Sequence, residues 1–254
     1  MQKSAFNPEI KKVIQERVHL REGVPVISGE IVDTAKGNPE LETIREEMDE
    51  DGETHWVDFE GGDFEALEAE GFKDAGVGSY LISPIGERNW FSDRYMSCTG
   101  VVAIGRDAIT GKELSFLSHQ DPNYFAEGDK DKVETFSQAL ADSLKELKAR
   151  SEKDSIEVLL VGSNFNPAAS VRDYTHDQYK KSIQALKQII QQSMGLDPKV
   201  LAGPNYSVGS ETVVVVETQK RKVWIDRDKQ PSEFDEPYQA NDIDEAEKKW
   251  LLVG

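Results

Sequence analysis

The sequence predicts an α/β (α+β) protein in which a mixed β-sheet and at least two helices pack in layers. Two observations support this fold class. Short, apolar, β-branched runs bounded by turn residues recur after residue 77, and two amphipathic helical patterns lie between those runs. Strands and helices in this order bury their apolar faces by packing against one another.

The first predicted unit is a β-hairpin. Residues 99–104 form a continuous apolar run, which is typical of a buried strand, and residues 113–119 alternate between apolar and polar side chains. Residues 107–112 supply turn-forming side chains between the two runs. The start of the first strand is therefore expected beside the end of the second.

The later elements follow from apolar spacing and from helix end signals. Apolar residues at intervals of three and four predict a helix over residues 131–149. The sequence from Thr175 to Gln178 fits a capping box, so a second helix is expected to begin there and to end at Gly195. Further strands are predicted at residues 156–162, 199–202, 211–218 and 222–226.

The chain divides by composition into three parts. Residues 1–76 are expected to form an acidic N-terminal extension or cover, residues 77–229 the α/β domain, and residues 230–254 a C-terminal tail. Short helices are expected within the extension at residues 39–50 and 63–70. Its acidic segment, about residues 36–74, is either a solvated surface or an element that binds a partner or covers a site.

Charge and composition exclude several classes of function. The net charge is −18, and residues 30–74 contain 17 acidic and three basic side chains, so 14 of those 18 charges fall in one stretch. This charge opposes binding to nucleic acid. No apolar run is long enough for a transmembrane helix, and the start of the chain does not resemble a signal peptide. A cytoplasmic protein without membrane insertion is expected.

The only cysteine, Cys98, directly precedes the first hairpin strand, and His119 ends the second. A thiol and an imidazole at one edge of a sheet are the groups that acyl transfer needs. The same pattern also fits a core thiol beside an unrelated histidine, or a zinc site that includes His119. The glycines Gly76 and Gly78 lack the spacing of a dinucleotide-binding loop.

The order of these elements resembles the chemotaxis glutamine deamidase family CheD. The similarity covers about residues 80–227 and rests on pattern rather than identity. The segments that match are a Ser-Cys-Thr-Gly strand start at residues 97–100, Leu-Ser-His-Gln at 117–120, a helix, and a strand ending at Gly162. The catalytic domains of the cytotoxic necrotizing factors share that fold and a Cys–His pair.

The resemblance implies that the protein hydrolyses glutamine side chains of a protein substrate to glutamate. Cys98 matches the family's nucleophile, His119 its general base, and Ser92 the third, hydroxyl-bearing residue. No cofactor and no metal are implied. The chain departs from the family pattern at Met96, where the family has glycine, and in its longer loop between cysteine and histidine.

A second hypothesis places the protein in another functional class. In this alternative the chain is a non-catalytic binding module of the same fold, whose acidic segment recognises a basic protein partner. It predicts an inert thiol, salt-sensitive association and loss of binding when residues 36–74 are deleted.

Overall fold

The computed structural model gives the protein mixed α/β content, with two sheets and three helices among the residues it describes. The described residues are 31–35, 55–56, 64–74, 80–92, 95, 98–121, 125, 130–162, 172–202 and 212–227. The predicted helix at residues 39–50 and the tail of residues 230–254 lie outside them.

Eleven strands and three helices make up this described part. The strands are β1 (Ile31–Ala35), β2 (His55–Trp56), β3 (Lys73–Asp74), β4 (Tyr80–Ile82), β5 (Trp90–Ser92), β6 (Thr99–Arg106), β7 (Glu113–Gln120), β8 (Glu157–Gly162), β9 (Lys199–Ala202), β10 (Thr212–Glu217) and β11 (Lys222–Arg227). The helices are α1 (Phe64–Ala69), α2 (Lys130–Arg150) and α3 (Arg172–Met194).

The predicted hairpin is confirmed and forms the centre of a six-stranded sheet. Strands β6 and β7 pair antiparallel, and the order of the whole sheet is β3-β4-β7-β6-β8-β9. The turn between them is closed by Asp107, whose carboxylate accepts hydrogen bonds from the amides of Thr110 and Ile109. These two bonds lower the pKa of the Asp107 carboxyl.

The two long helices cover one face of this sheet. Helix α2 contributes apolar side chains at intervals of three and four, and α3 contributes a second such row. The buried members of the two rows are Phe136, Leu140, Leu144, Leu147, Ile183, Leu186, Ile190 and Met194. They pack against the side chains that β4, β6, β7 and β8 direct to the same face.

The second helix ends where the sequence predicts but begins earlier. Gly195 adopts a positive φ of 72°, and its amide donates to the carbonyl of Gln191, which is a helix end that glycine favours. The predicted cap at Thr175 is wrong. Helical backbone extends to Arg172, which places Thr175 inside the first turns of α3.

The prediction of one mixed sheet is also wrong, because the later strands form a second sheet. Its order is β1-β11-β10-β5-β2. The physical reason lies in the composition of β6 and β8, which are apolar on both faces, and β7 adds Leu117 to the face turned away from the helices. The face turned away from the helices therefore needs a cover, and β10 and β11 supply it with Val214, Val216, Val223 and Ile225.

A buried ion cluster joins the two sheets near the turn end of the hairpin. The guanidinium of Arg221 lies 2.5 Å from a carboxylate oxygen of Glu113 and 3.1 Å from one of Glu157. The hydroxyls of Ser115 and Thr218 are 2.6 Å apart in the same region. Because buried charges need such partners, this cluster fixes how the sheets meet at one end.

Several strands come from the part of the chain that we predicted to be an N-terminal extension or cover. Strand β1 pairs parallel with β11, β2 pairs parallel with β5, and β3 pairs antiparallel with β4. The short helix expected at residues 63–70 is present as α1, and Leu67 and Phe72 pack against the cluster between the sheets. Parts of residues 1–76 thus belong to both sheets.

Within the described ranges, no helix is both long enough and apolar enough to span a bilayer.

Candidate functional site

The candidate site lies at the open end of the central hairpin, opposite the ion cluster. Cys98 directly precedes β6, and His119 is the penultimate residue of β7. Thr99 pairs with Gln120 across the two strands, so Cys98 and His119 lie at the same edge of the sheet. The hairpin therefore brings the two predicted residues to one place, although 20 positions separate them along the chain.

Both residues belong to the face of the sheet that meets the second sheet. Val102 and Leu117 pack between the sheets, and Cys98 packs against the same apolar cluster. Because side chains alternate along a strand, His119 shares the face of Leu117, two residues before it. His119 is 1% exposed, whereas Cys98 is partly exposed.

Ser92 reaches the site from the other sheet. It ends the short strand β5, and its Oγ lies 3.0 Å from Nδ1 of His119. The serine is completely buried. The three residues that the sequence singles out thus come from two sheets, and a hydrogen bond joins two of them across the interface.

This hydrogen bond determines what the imidazole can do. When Nδ1 has the ring hydrogen it donates to Ser92 Oγ, and Nε2 is then the nitrogen that accepts a proton. When the ring is protonated, both nitrogens are donors, and Ser92 Oγ still accepts the hydrogen bond from Nδ1. Such an arrangement gives the ring a fixed orientation, which general base catalysis requires.

Tyr95 also belongs to the site, and it was not predicted. Its ring is buried and stacks on the ring of His119, with centroids 4.1 Å apart and planes inclined by 13°. Its hydroxyl donates to the backbone carbonyl of Ser118 at 3.1 Å. No periodic pattern marks this role, because Tyr95 precedes β6 and contacts a residue of another strand.

A second buried polar group lies on the helix face of the same strand ends. The amide of Gln120 donates to the hydroxyl of Thr99 at 3.0 Å, and that hydroxyl lies 3.2 Å from Ser182 Oγ in α3. This group was not predicted. In the sequence, each of its members is only a single polar residue within or beside an apolar pattern, which does not indicate that the three meet. It joins the ends of β6 and β7 to α3, so hydrogen bonds on the helix face stabilise the sheet edge at which Cys98 and His119 lie.

The structure also bears on the zinc alternative. Among the residues described, no group of three or more His, Cys, Asp or Glu side chains is arranged to hold a metal ion. Met96 lies outside the described residues, as do Gly76 and Gly78.

Comparison with known proteins does not assign the chain to a family. No model of a protein family matches the chain, and no curated protein sequence does so.

Proposed function

We propose that the protein is a cysteine-dependent hydrolase that deamidates glutamine side chains of a protein substrate. Cys98 is the nucleophile, His119 the general base, and Ser92 the residue that orients the imidazole. The main support is the buried 3.0 Å hydrogen bond between Ser92 and His119, on the same sheet face as the thiol. A nucleophile, a base and an orienting group in series are the pattern of covalent acyl transfer.

The reaction follows from these roles. His119 takes the proton of the Cys98 thiol, and the thiolate attacks the carboxamide carbon of the glutamine side chain. The tetrahedral oxyanion collapses when the imidazolium gives its proton to the departing ammonia, which leaves a thioester. A water molecule that His119 deprotonates then hydrolyses the thioester. The balance is one glutamine and one water consumed, and one glutamate and one ammonia released.

Burial and charge define what this chemistry demands of the site. The net charge of −18 raises the free energy of a thiolate, so Cys98 needs a nearby positive charge to ionise near neutral pH. An imidazolium in a buried setting supplies that charge with little screening by water. Partial exposure of Cys98 gives a protein side chain access while His119 stays shielded.

We also propose a fold family and a cellular setting for this activity. In this proposal the sheets and the helices form the layers of a CheD-like catalytic domain, to which β1, β2 and β3 of residues 1–76 also contribute. The setting is cytoplasmic, and the partner is a protein with an accessible glutamine.

The direct test of this function compares the wild-type protein with a Cys98→Ser variant. Both are incubated with an unfolded, glutamine-rich protein such as dephosphorylated casein. The release of ammonia is measured, and mass spectrometry detects the formation of glutamate at individual glutamine positions. Because the weaker nucleophile cannot form the thioester, we expect the variant to lose at least about a thousandfold in rate. Circular dichroism verifies that the variant is folded.

Two outcomes would contradict the proposal. One is conversion of glutamine at the same rate by both proteins, and the other is no conversion by the wild-type protein. The second outcome, together with salt-sensitive binding of a basic protein that deletion of residues 36–74 abolishes, would favour the non-catalytic binding module.

A further inference from the structure

The stacked pair of Tyr95 and His119 restricts the imidazole in a way that Ser92 alone cannot. The bond to Ser92 Oγ holds one ring nitrogen in place but allows the ring to tilt about that contact. A parallel ring at 4.1 Å prevents that tilt, because tilting would drive the imidazole into the tyrosine. The two contacts together define both the direction and the plane of the His119 ring.

The backbone makes room for this stack at Gly100. The pairs on either side, Thr99–Gln120 and Val102–Leu117, share one register, and that register places Gly100 across from His119. A Cβ atom at Gly100 would lie 2.7 Å from Cε1 of Tyr95 and 2.8 Å from its hydroxyl, so the tyrosine ring fills the space that a side chain would need. Because Gly100 has no side chain, the ring of Tyr95 can stack on His119.

The tyrosine is also anchored to the strand that presents His119. Its hydroxyl donates to the carbonyl of Ser118, the residue directly before His119. The amide of Val101 donates instead to the hydroxyl of Ser118, at 2.9 Å. Side chains thus supply hydrogen bonds at this point of the ladder, and Tyr95 becomes part of the connection between β6 and β7.

We infer that Tyr95 is a positioning residue for His119, and this inference rests on the proposed function. The tyrosine fixes the plane of the imidazole and, through its aromatic face, favours the protonated ring. A stabilised imidazolium keeps more of Cys98 in the thiolate form at neutral pH. Tyr95 itself exchanges no proton with substrate, since its hydroxyl is bonded to a backbone carbonyl.

The test separates the stack from the hydroxyl by comparing Tyr95→Leu with Tyr95→Phe. Tyr80→Leu is the matched control, because Tyr80 is equally buried but packs against Phe136 on the helix face of the sheet. The first readout is the ring-current shift of the His119 ring protons in NMR spectra, assigned with a His119→Gln variant. The second is the pH dependence of Cys98 alkylation by iodoacetamide, which needs no substrate.

The expected results follow from the stack. Tyr95→Leu removes the ring-current shift and moves the alkylation profile to higher pH, lowering the rate at pH 7 about fivefold, which corresponds to the loss of a cation–π contact of about 1 kcal/mol. Tyr95→Phe retains the ring-current shift and a profile close to that of the wild type. Tyr80→Leu changes neither readout.

Each contrary result overturns a defined part of the account. An alkylation profile that Tyr95→Leu leaves unchanged, while His119→Gln changes it, overturns the role of Tyr95 and leaves the proposed function standing. An equal change in Tyr80→Leu also overturns it, because the effect would then be general. A profile that His119→Gln leaves unchanged overturns the proposed function and this inference with it. If Tyr95→Leu does not fold, His119 protons without a ring-current shift in the wild-type protein still overturn the stack.

Discussion

Replacing His119 by glutamine is expected to slow the alkylation of Cys98 at pH 7 by about tenfold. An unperturbed thiol, with a pKa of about 8.5, is only a few per cent ionised at that pH, whereas a thiolate paired with an imidazolium is largely ionised. The gain in thiolate is partly offset, because nucleophilicity falls as the thiol becomes more acidic. Glutamine retains a polar side chain of similar size but cannot become a cation.

The measurement is the rate of iodoacetamide addition followed by mass spectrometry, which is unambiguous because the chain has one cysteine. Ser115→Ala is a suitable control, since Ser115 lies on the same strand and face but near the other end of the hairpin, bonded to Thr218. Equal rates for wild type and His119→Gln would mean that His119 does not activate the thiol. The core-thiol interpretation of Cys98 would then be preferred.

Replacing Gly100 by alanine is expected to destabilise the fold by about 3 kcal/mol, the upper part of the usual cost of overpacking a core. The new methyl group would lie 2.6 Å from the carbonyl oxygen of Ser118, in addition to its clash with the ring of Tyr95. The carbonyl belongs to a central strand and cannot move alone. The tyrosine cannot move without losing its contact with His119.

Urea unfolding followed by circular dichroism measures this effect. Gly86→Ala is the matched control, because a Cβ there would meet its nearest neighbours, Arg88 and Trp90, at 3.9 Å, an ordinary contact distance. We expect the free energy of unfolding of that variant to lie within about 0.5 kcal/mol of the wild-type value. Similar stability of Gly100→Ala and wild type would show that the space above Gly100 is open, contrary to the stack.

The hairpin and its site residues could be predicted because they depend on local signals. The turn of residues 107–112 fixes the register of the two apolar runs, and that register alone pairs Thr99 with Gln120 and brings Cys98 and His119 to one edge. The same register places Gly100 across from His119. The register does not reveal that the ring of Tyr95 fills the space beside Gly100.

The second sheet and Tyr95 could not be predicted for a related reason. Strand β5 is three residues long, and β1 and β2 are separated from their partners by many residues, so no local period reveals their pairing. Ser92 was identified only through the family resemblance, and its partner nitrogen depends on how the two sheets stack. Contacts between sheets are set by the burial of whole faces, which a short motif does not encode.

The most direct test of the central claim, that Cys98 is an activated nucleophile beside His119, is a pH titration of the thiol itself. Thiolate absorbance in the ultraviolet reports on Cys98 alone, with Cys98→Ser as the blank. We expect a midpoint clearly below the free-thiol value of about 8.5, in spite of the negative charge of the protein. A midpoint at or above that value would contradict it.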